Sequence, residues 1–293
     1  MGRSCEGRVA VVTGASRGIG KGIALRLAAE GADLGIVARS VDDEHYGVSL
    51  AQIVPRLEAL GARVVPIGCN LADPTQSREA IIDEVEAELG PVSIMVSNAA
   101  LSGFRPFLDW DDKTLRRMTE VNVWAPWQLA RRVLPGMLAR GTGWILNISS
   151  GASERIVGPP YENRGGSVVT QGAAYGSTKA MLNRWTQSLA AEVYGRGVAV
   201  NTLGPHGAVT TEMIEATGFP IAEEQFEPID TMVEAALALC TCDADAITGR
   251  IAYSLPLLAE LDRPVYDLSG VDLVDGWQPA DLPARIAHSG IVR

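Results

Sequence analysis

RVAVVTGASRGIGKGIALRLAAEG, residues 8–31, is the stretch whose reading decides the fold. It begins with an unbroken apolar run, rich in β-branched residues, of the kind found in strands covered on both faces. After Thr13 comes a turn holding Gly14, Gly18 and Gly20, and apolar residues then resume at helical spacing until Gly31. Strand, glycine turn and helix in that order form the first half of a βαβ unit. The three glycines let the chain turn tightly, let its backbone approach a pyrophosphate, and let the helix pack close to the sheet. The helix N-terminus adds N–H groups and a partial positive charge. Ser16, Arg17 and Ile19 lie inside the same turn and are candidate contacts with such a ligand.

The same rhythm continues outward. Strand-like runs at 8–13, 32–38, 63–69, 92–97, 143–149, 198–203 and 249–254 alternate with helix-like segments such as AIIDEVEAELG. Seven strands separated by helices predict an α/β fold with a doubly wound parallel sheet, the Rossmann arrangement, in a single domain. Residues 1–254 make up this domain. Segments 39–50 and 151–172 break the rhythm as inserted loops, and 255–293 is a Pro- and Asp-containing tail expected to pack on the same domain. Ligands of such sheets bind at the carboxyl ends of the strands, so polar groups just after a strand carry the most weight.

Of the 293 residues, 47% are hydrophobic and 20% charged, the balance of an ordinary globular protein. The net charge of −10 and the lack of any Lys/Arg run argue against nucleic acid and anionic membranes as partners. The four cysteines are too scattered for a disulfide framework. Cys240 and Cys242 have no histidine nearby to complete a metal site, so no metal is expected. No signal-like N-terminal region or long apolar span is visible, and Glu6 spoils a myristoylation match. A cytoplasmic location is the expectation.

The spacing T-G-x-x-x-G-x-G at 13–20 resembles the short-chain dehydrogenase/reductase family, and the resemblance extends over residues 6–254. It implies a nicotinamide dinucleotide cofactor. Where an acidic residue would select NAD(H), the second strand is followed by Arg39 and Ser40, with no Asp or Glu at 38–40. Arg39 and Arg17 together suit a 2′-phosphate and favour NADP(H) over NAD(H). CNLAD resembles the family's adenine-side segment, with Asn70 and Leu71 as contacts and Asn70 in place of the usual aspartate. SNAA resembles the family's Asn-Asn-Ala-Gly and nominates Asn98, Ala99 and Ala100. GPHGAVTTEM resembles the segment over the nicotinamide, nominating Pro205, Gly207, Val209 and Thr211. There His206 departs from the pattern as a possible substrate contact. Residues 207–227 are expected to form a substrate loop, with Met213, Ile214 and Phe219 as apolar lining.

YGSTK sets Tyr175 and Lys179 one helical turn apart, on one face. An ammonium beside a phenol is expected to lower its pKa from about 10. The pair can then serve as acid in ketone reduction or base in alcohol oxidation. Tyr161 stands nearer the family's usual distance from the serine pair, but it has no lysine four residues on and sits in the loop composition ENRGG. Tyr175 is therefore the chosen proton donor, and 151–172 becomes an insertion overhanging the substrate cleft. Its Tyr161, Glu162 and Arg164 become specificity candidates. The family's pattern points to Ser150 rather than Ser149 as the hydroxyl that holds the substrate oxygen.

Asn122 lies in a helical pattern from 112 to 140, four residues before Pro126. Proline has no N–H to bond the Asn122 carbonyl, which is expected to turn to water. The resemblance implies that this water completes a proton relay to Lys179, and that Lys179 also binds the nicotinamide ribose. The implied activity is NADP(H)-dependent interconversion of a secondary alcohol and a ketone, using the pro-S hydride. Trp124 and Trp127 hint at a hydrophobic ketone. A homo-oligomer, dimer or tetramer, is expected through the helices at 112–140 and 173–194. The competing readings are a non-catalytic NADP(H) sensor, the same chemistry with NAD(H), and an extended-branch epimerase or dehydratase.

Overall fold

The computed structural model describes residues 3–42, 48–159, 171–212, 222–289 and 291. Its core is a seven-stranded sheet of β1 (Val9–Thr13), β2 (Asp33–Ala38), β3 (Val64–Gly68), β4 (Val92–Ser97), β5 (Gly143–Ile148), β6 (Val198–Gly204) and β7 (Ile251–Tyr253). The spatial order is β3-β2-β1-β4-β5-β6-β7, and every pairing is parallel. The order reverses between β1 and β4, the switch point where such sheets open a crevice. Pro66 is tolerated because β3 is an edge strand, where a missing N–H breaks no interior ladder.

Helices cover both faces. α1 (Gly18–Ala29), α2 (Leu50–Glu58) and α7 (Ile229–Thr241) bury one face of the sheet. α3 (Glu79–Leu89), α5 (Ala125–Arg140) and α6 (Ala173–Val193) bury the other. That division explains the continuous apolar strands, since β1, β5 and β6 are buried at every residue. The pattern expected as one helix over 112–140 is interrupted. α4 (Asp112–Thr119) runs into a π-helical turn, Glu120–Trp124, before α5, with the Ala125 N–H bonding the Glu120 carbonyl five residues back. Pro126 cannot donate to Asn122, and the wider turn absorbs the mismatch.

The tail carries α8 (Ser254–Glu260) and α9 (Leu282–His288). Leu255, Val265 and Leu282 are completely or almost completely buried in the same core cluster as α1 and α7. Half-buried Arg263 pairs with Glu234, which also pairs with buried Arg26, and this group fastens the tail to α1 and α7. Ala208–Val209 pairs in parallel with Phe226–Glu227 as a short separate ribbon. Among the described residues, no helix is long and apolar enough to cross a membrane.

Candidate active site

A cleft of about 920 Å³ opens at the carboxyl ends of the strands, running from Arg39 and Ser40 past the glycine turn to Ser150, Tyr175 and Lys179. Gly14 and Gly18 have φ of 68° and 52°, a left-handed backbone that glycine adopts without strain. Gly20 has a different constraint: a Cβ there would lie 2.3 Å from the Gly14 carbonyl oxygen. It sits beneath the turn rather than on the cleft wall. Thr13 stitches the switch point together, its Oγ1 accepting from Asn98 N at 3.0 Å and Ala99 N at 3.1 Å. The Asn98 amide donates to the carbonyls of Thr13 and Gly14, so this side chain fixes the turn.

Gly14, Ser16, Arg17, Gly18, Ile19, Arg39, Ser40, Asn70, Leu71, Asn98, Ala99, Ala100, Pro205 and Thr211 line this one cleft. Gly207 and Val209 do not. Gly207 N donates to the buried carboxylate of Glu227 at 3.1 Å, and a Cβ on Gly207 would lie 2.2 Å from the Gln225 carbonyl. Val209 is buried in the short ribbon opposite Glu227. These two residues hold the ribbon that follows β6. His206 is also turned away, its Nε2 lying 3.0 Å from Ser289 Oγ of the tail. Trp124 and Trp127 lie outside the cleft too, more than two-fifths exposed, with Trp127 edge-on to Trp185.

At the chemical end, Ser150 heads a short 3-10 turn after β5, its Oγ accepting from Ala152 N at 3.2 Å and lying near enough to the Tyr175 phenol to pull that group's pKa down. Gly176 makes this meeting possible, since a Cβ there would lie 2.3 Å from the Ala152 carbonyl. Ser153 Oγ donates to the Ser150 carbonyl at 2.6 Å and receives Asn183 Nδ2 at 2.9 Å. Lys179 is 2% exposed and donates from Nζ to the Ile148 carbonyl at 2.7 Å, with Nζ 5.8 Å from the Tyr175 ring centre. Phe104 meets that ring edge-on at 5.7 Å.

Burial dominates both ionisations. It pushes the Tyr175 phenol up to about 12 against the opposing pull of the Ser150 hydroxyl, and pushes Lys179 down to about 7. The expectation that the ammonium lowers the phenol is therefore reversed here. Desolvation opposes charge on both groups, and a lysine half-neutral near pH 7 offers little field to its neighbour.

Asn122 is 1% exposed, and its side chain is fully engaged. Oδ1 accepts from Leu101 N at 2.8 Å, while Nδ2 donates to Leu101 O at 2.9 Å and Thr178 Oγ1 at 3.0 Å. It thereby ties the loop after β4 to α6. Ser149 is buried, with no partner for its hydroxyl among the described residues. Tyr161, Glu162, Arg164, Met213, Ile214 and Phe219 lie outside the described residues.

Gly176, Ser153 and Asn183 carry no sequence signal beyond being small or polar residues near the candidate proton-transfer residues. Nor does the sequence single out Arg117 and Glu212 on the cleft wall. Among the described residues, no cluster of His, Cys, Asp or Glu could hold a metal ion.

The model of the short chain dehydrogenase family matches residues 8–218. The chain belongs to that family. It is 33% identical to a short chain dehydrogenase of Pseudocercospora fijiensis over 71% of this chain and 62% of that protein. It is 34% identical to the 3-oxoacyl-[acyl-carrier-protein] reductase of Escherichia coli, over 72% of this chain and 77% of that one. Among solved structures, a short chain dehydrogenase from Burkholderia cenocepacia in complex with NADP superposes with a TM-score of 0.70. Identity there is 28%, covering 85% of this chain and 97% of the other. As a member of this family, the protein is an oxidoreductase.

A dinucleotide suits what the cleft presents. The positive-φ glycines expose backbone at the head of α1, and the Gly18 N–H there already donates to an anionic partner, the Glu212 carboxylate at 3.0 Å.

Proposed function

We propose that the protein is an NADP(H)-dependent oxidoreductase that interconverts a secondary alcohol and a ketone, with Tyr175 as the proton donor and acceptor. The observation that carries this reading is the meeting of Ser150, Tyr175 and Lys179 in the same cleft as the glycine turn. The chemistry a bound nicotinamide supplies is hydride transfer to or from the carbonyl carbon. Ser150 orients the substrate oxygen by hydrogen bonding. Tyr175, protonated at neutral pH because burial holds its pKa near 12, passes its proton to that oxygen in reduction and recovers one in oxidation. Lys179 trades its bond to the Ile148 carbonyl for the cofactor ribose. Asn122 keeps the Leu101 loop and the catalytic helix in register, and its position beside Thr178 is compatible with a water-borne relay toward Lys179.

Preference for NADP(H) is supported by Arg17 and Arg39 on the adenosine side of the cleft and by the lack of a carboxylate at 38–40. A homo-oligomer is supported by Trp124, Trp127 and Met181, apolar side chains exposed on the helical layer of α5 and α6. A ketone panel, followed by consumption of reduced nicotinamide, tests the activity. Reduction of at least one ketone with NADPH, and slower reduction with NADH, is expected. Binding of NADPH with no turnover across the panel would contradict it.

A further inference from the structure

The glycine turn is not vacant of charge. Glu212, at the far side of the cleft from α1 in sequence, places Oε2 3.0 Å from the Gly18 N–H and Oε1 on the Lys21 ammonium. Gly18 is the first residue of α1, so this carboxylate sits on the outward-facing amide at the positive end of the helix. Thr211, its neighbour, is as close: a Cβ on Gly18 would lie 3.4 Å from Thr211 Cγ2. Partial burial would raise the Glu212 pKa, but the bonds from Lys21 and Gly18 outweigh it, and the group is held below the ordinary glutamate value. The carboxylate is therefore charged at neutral pH. Two anions cannot share one N–H donor at hydrogen-bond distance, since their repulsion adds to the loss of the bond.

We propose that Glu212 is an internal competitor for the anion seat of the glycine turn: the cofactor's pyrophosphate displaces its carboxylate, and the carboxylate's return helps expel the spent cofactor. The inference rests on the dinucleotide reading above. Displacement hands the Gly18 N–H to the incoming phosphate and leaves Lys21 without its carboxylate partner, next to the arriving charge. The intrinsic affinity of the turn is thus reduced by the fraction of molecules in which Glu212 occupies it. The exchange also moves the Thr211–Glu212 segment, so entry of the nucleotide is felt on the wall that follows β6.

Two isomers of equal charge separate this competition from a general field effect. In 5′-AMP the phosphate reaches the glycine turn, whereas in 2′-AMP it points toward the arginine side. Titration calorimetry with each nucleotide on wild type, Glu212→Gln and Glu212→Ala is the test. The expected result is that both variants bind 5′-AMP at least about fivefold more tightly, while 2′-AMP changes by less than about twofold. An equal gain for both isomers would mean only that a negative charge had been removed, and would overturn the proposal. So would unchanged or weaker 5′-AMP binding. If wild type and both variants bind neither isomer and no dinucleotide, the dinucleotide reading itself has failed, and the inference falls with it.

Discussion

The two ends of the cleft are built from different materials. At the glycine turn the ligand would meet backbone: Gly14 and Gly18 in left-handed conformations, Gly20 pressed under the Gly14 carbonyl, and N–H groups at the head of α1. At the chemical end it would meet side chains from the turn after β5 and from α6, where desolvation sets the ionisation of Tyr175 and Lys179. A backbone site is defined by which side chains are missing, so it tolerates almost no addition. A side-chain site is defined by which atoms touch, so it is sensitive to deletion and to pH. Changes at the first end should alter binding, and changes at the second should alter turnover.

The largest effect that would break this division is expected from Gly20→Ala. Its new Cβ would sit 2.3 Å from one backbone oxygen and 2.4 Å from the Asn98 amide. Fluorescence titration should show NADPH binding lost, with a lower melting temperature. Near-normal binding would mean that the turn is not the anion cradle. Next in size is Arg39→Ser. Losing one charge-assisted bond to a phosphate should weaken NADPH by about 10- to 100-fold and leave NADH unchanged in the same titration. Equal losses for both cofactors would break the assignment of Arg39 to the 2′-phosphate.

The remaining effect concerns Lys179 and stability rather than binding. Its folded pKa lies near 7, below the unfolded value of 10.5. Between those values the unfolded chain holds a proton that the folded chain has released, so this residue makes stability rise with pH. Below about pH 7 both states are protonated and the contribution levels off at its lowest. Lys179→Met removes this dependence. Denaturant melts of the two proteins should therefore differ most in the variant's favour near pH 7, with the difference shifting toward wild type as pH approaches 10. A constant difference across that range would show that Lys179 is charged in the fold.

Much of this arrangement was legible in the sequence. The glycine spacing, the continuous apolar strands and the Tyr175–Lys179 turn are local patterns, and the chain folds them locally. What was not legible depends on contacts between distant segments. Gly207 and Val209 are nominated by position, and their place in a ribbon with Phe226–Glu227 has no signal in local spacing. His206 is held by Ser289, 83 residues away. No spacing rule predicts that Glu212 would reach Gly18 across 194 residues. The ionisation of Tyr175 is illegible for a related reason. The lysine charge is visible in sequence, whereas the packing that desolvates both groups is not.

The central claim is that Tyr175 moves the proton and contributes little to holding the cofactor. Tyr175→Phe, with Tyr161→Phe as control, tests it through NADPH affinity and single-turnover ketone reduction measured on the same samples. Tyr175→Phe should keep NADPH binding within about threefold and lose about 10²- to 10⁴-fold in the rate of reduction, while Tyr161→Phe keeps the rate. Reduction by Tyr175→Phe at near wild-type rate would contradict the account.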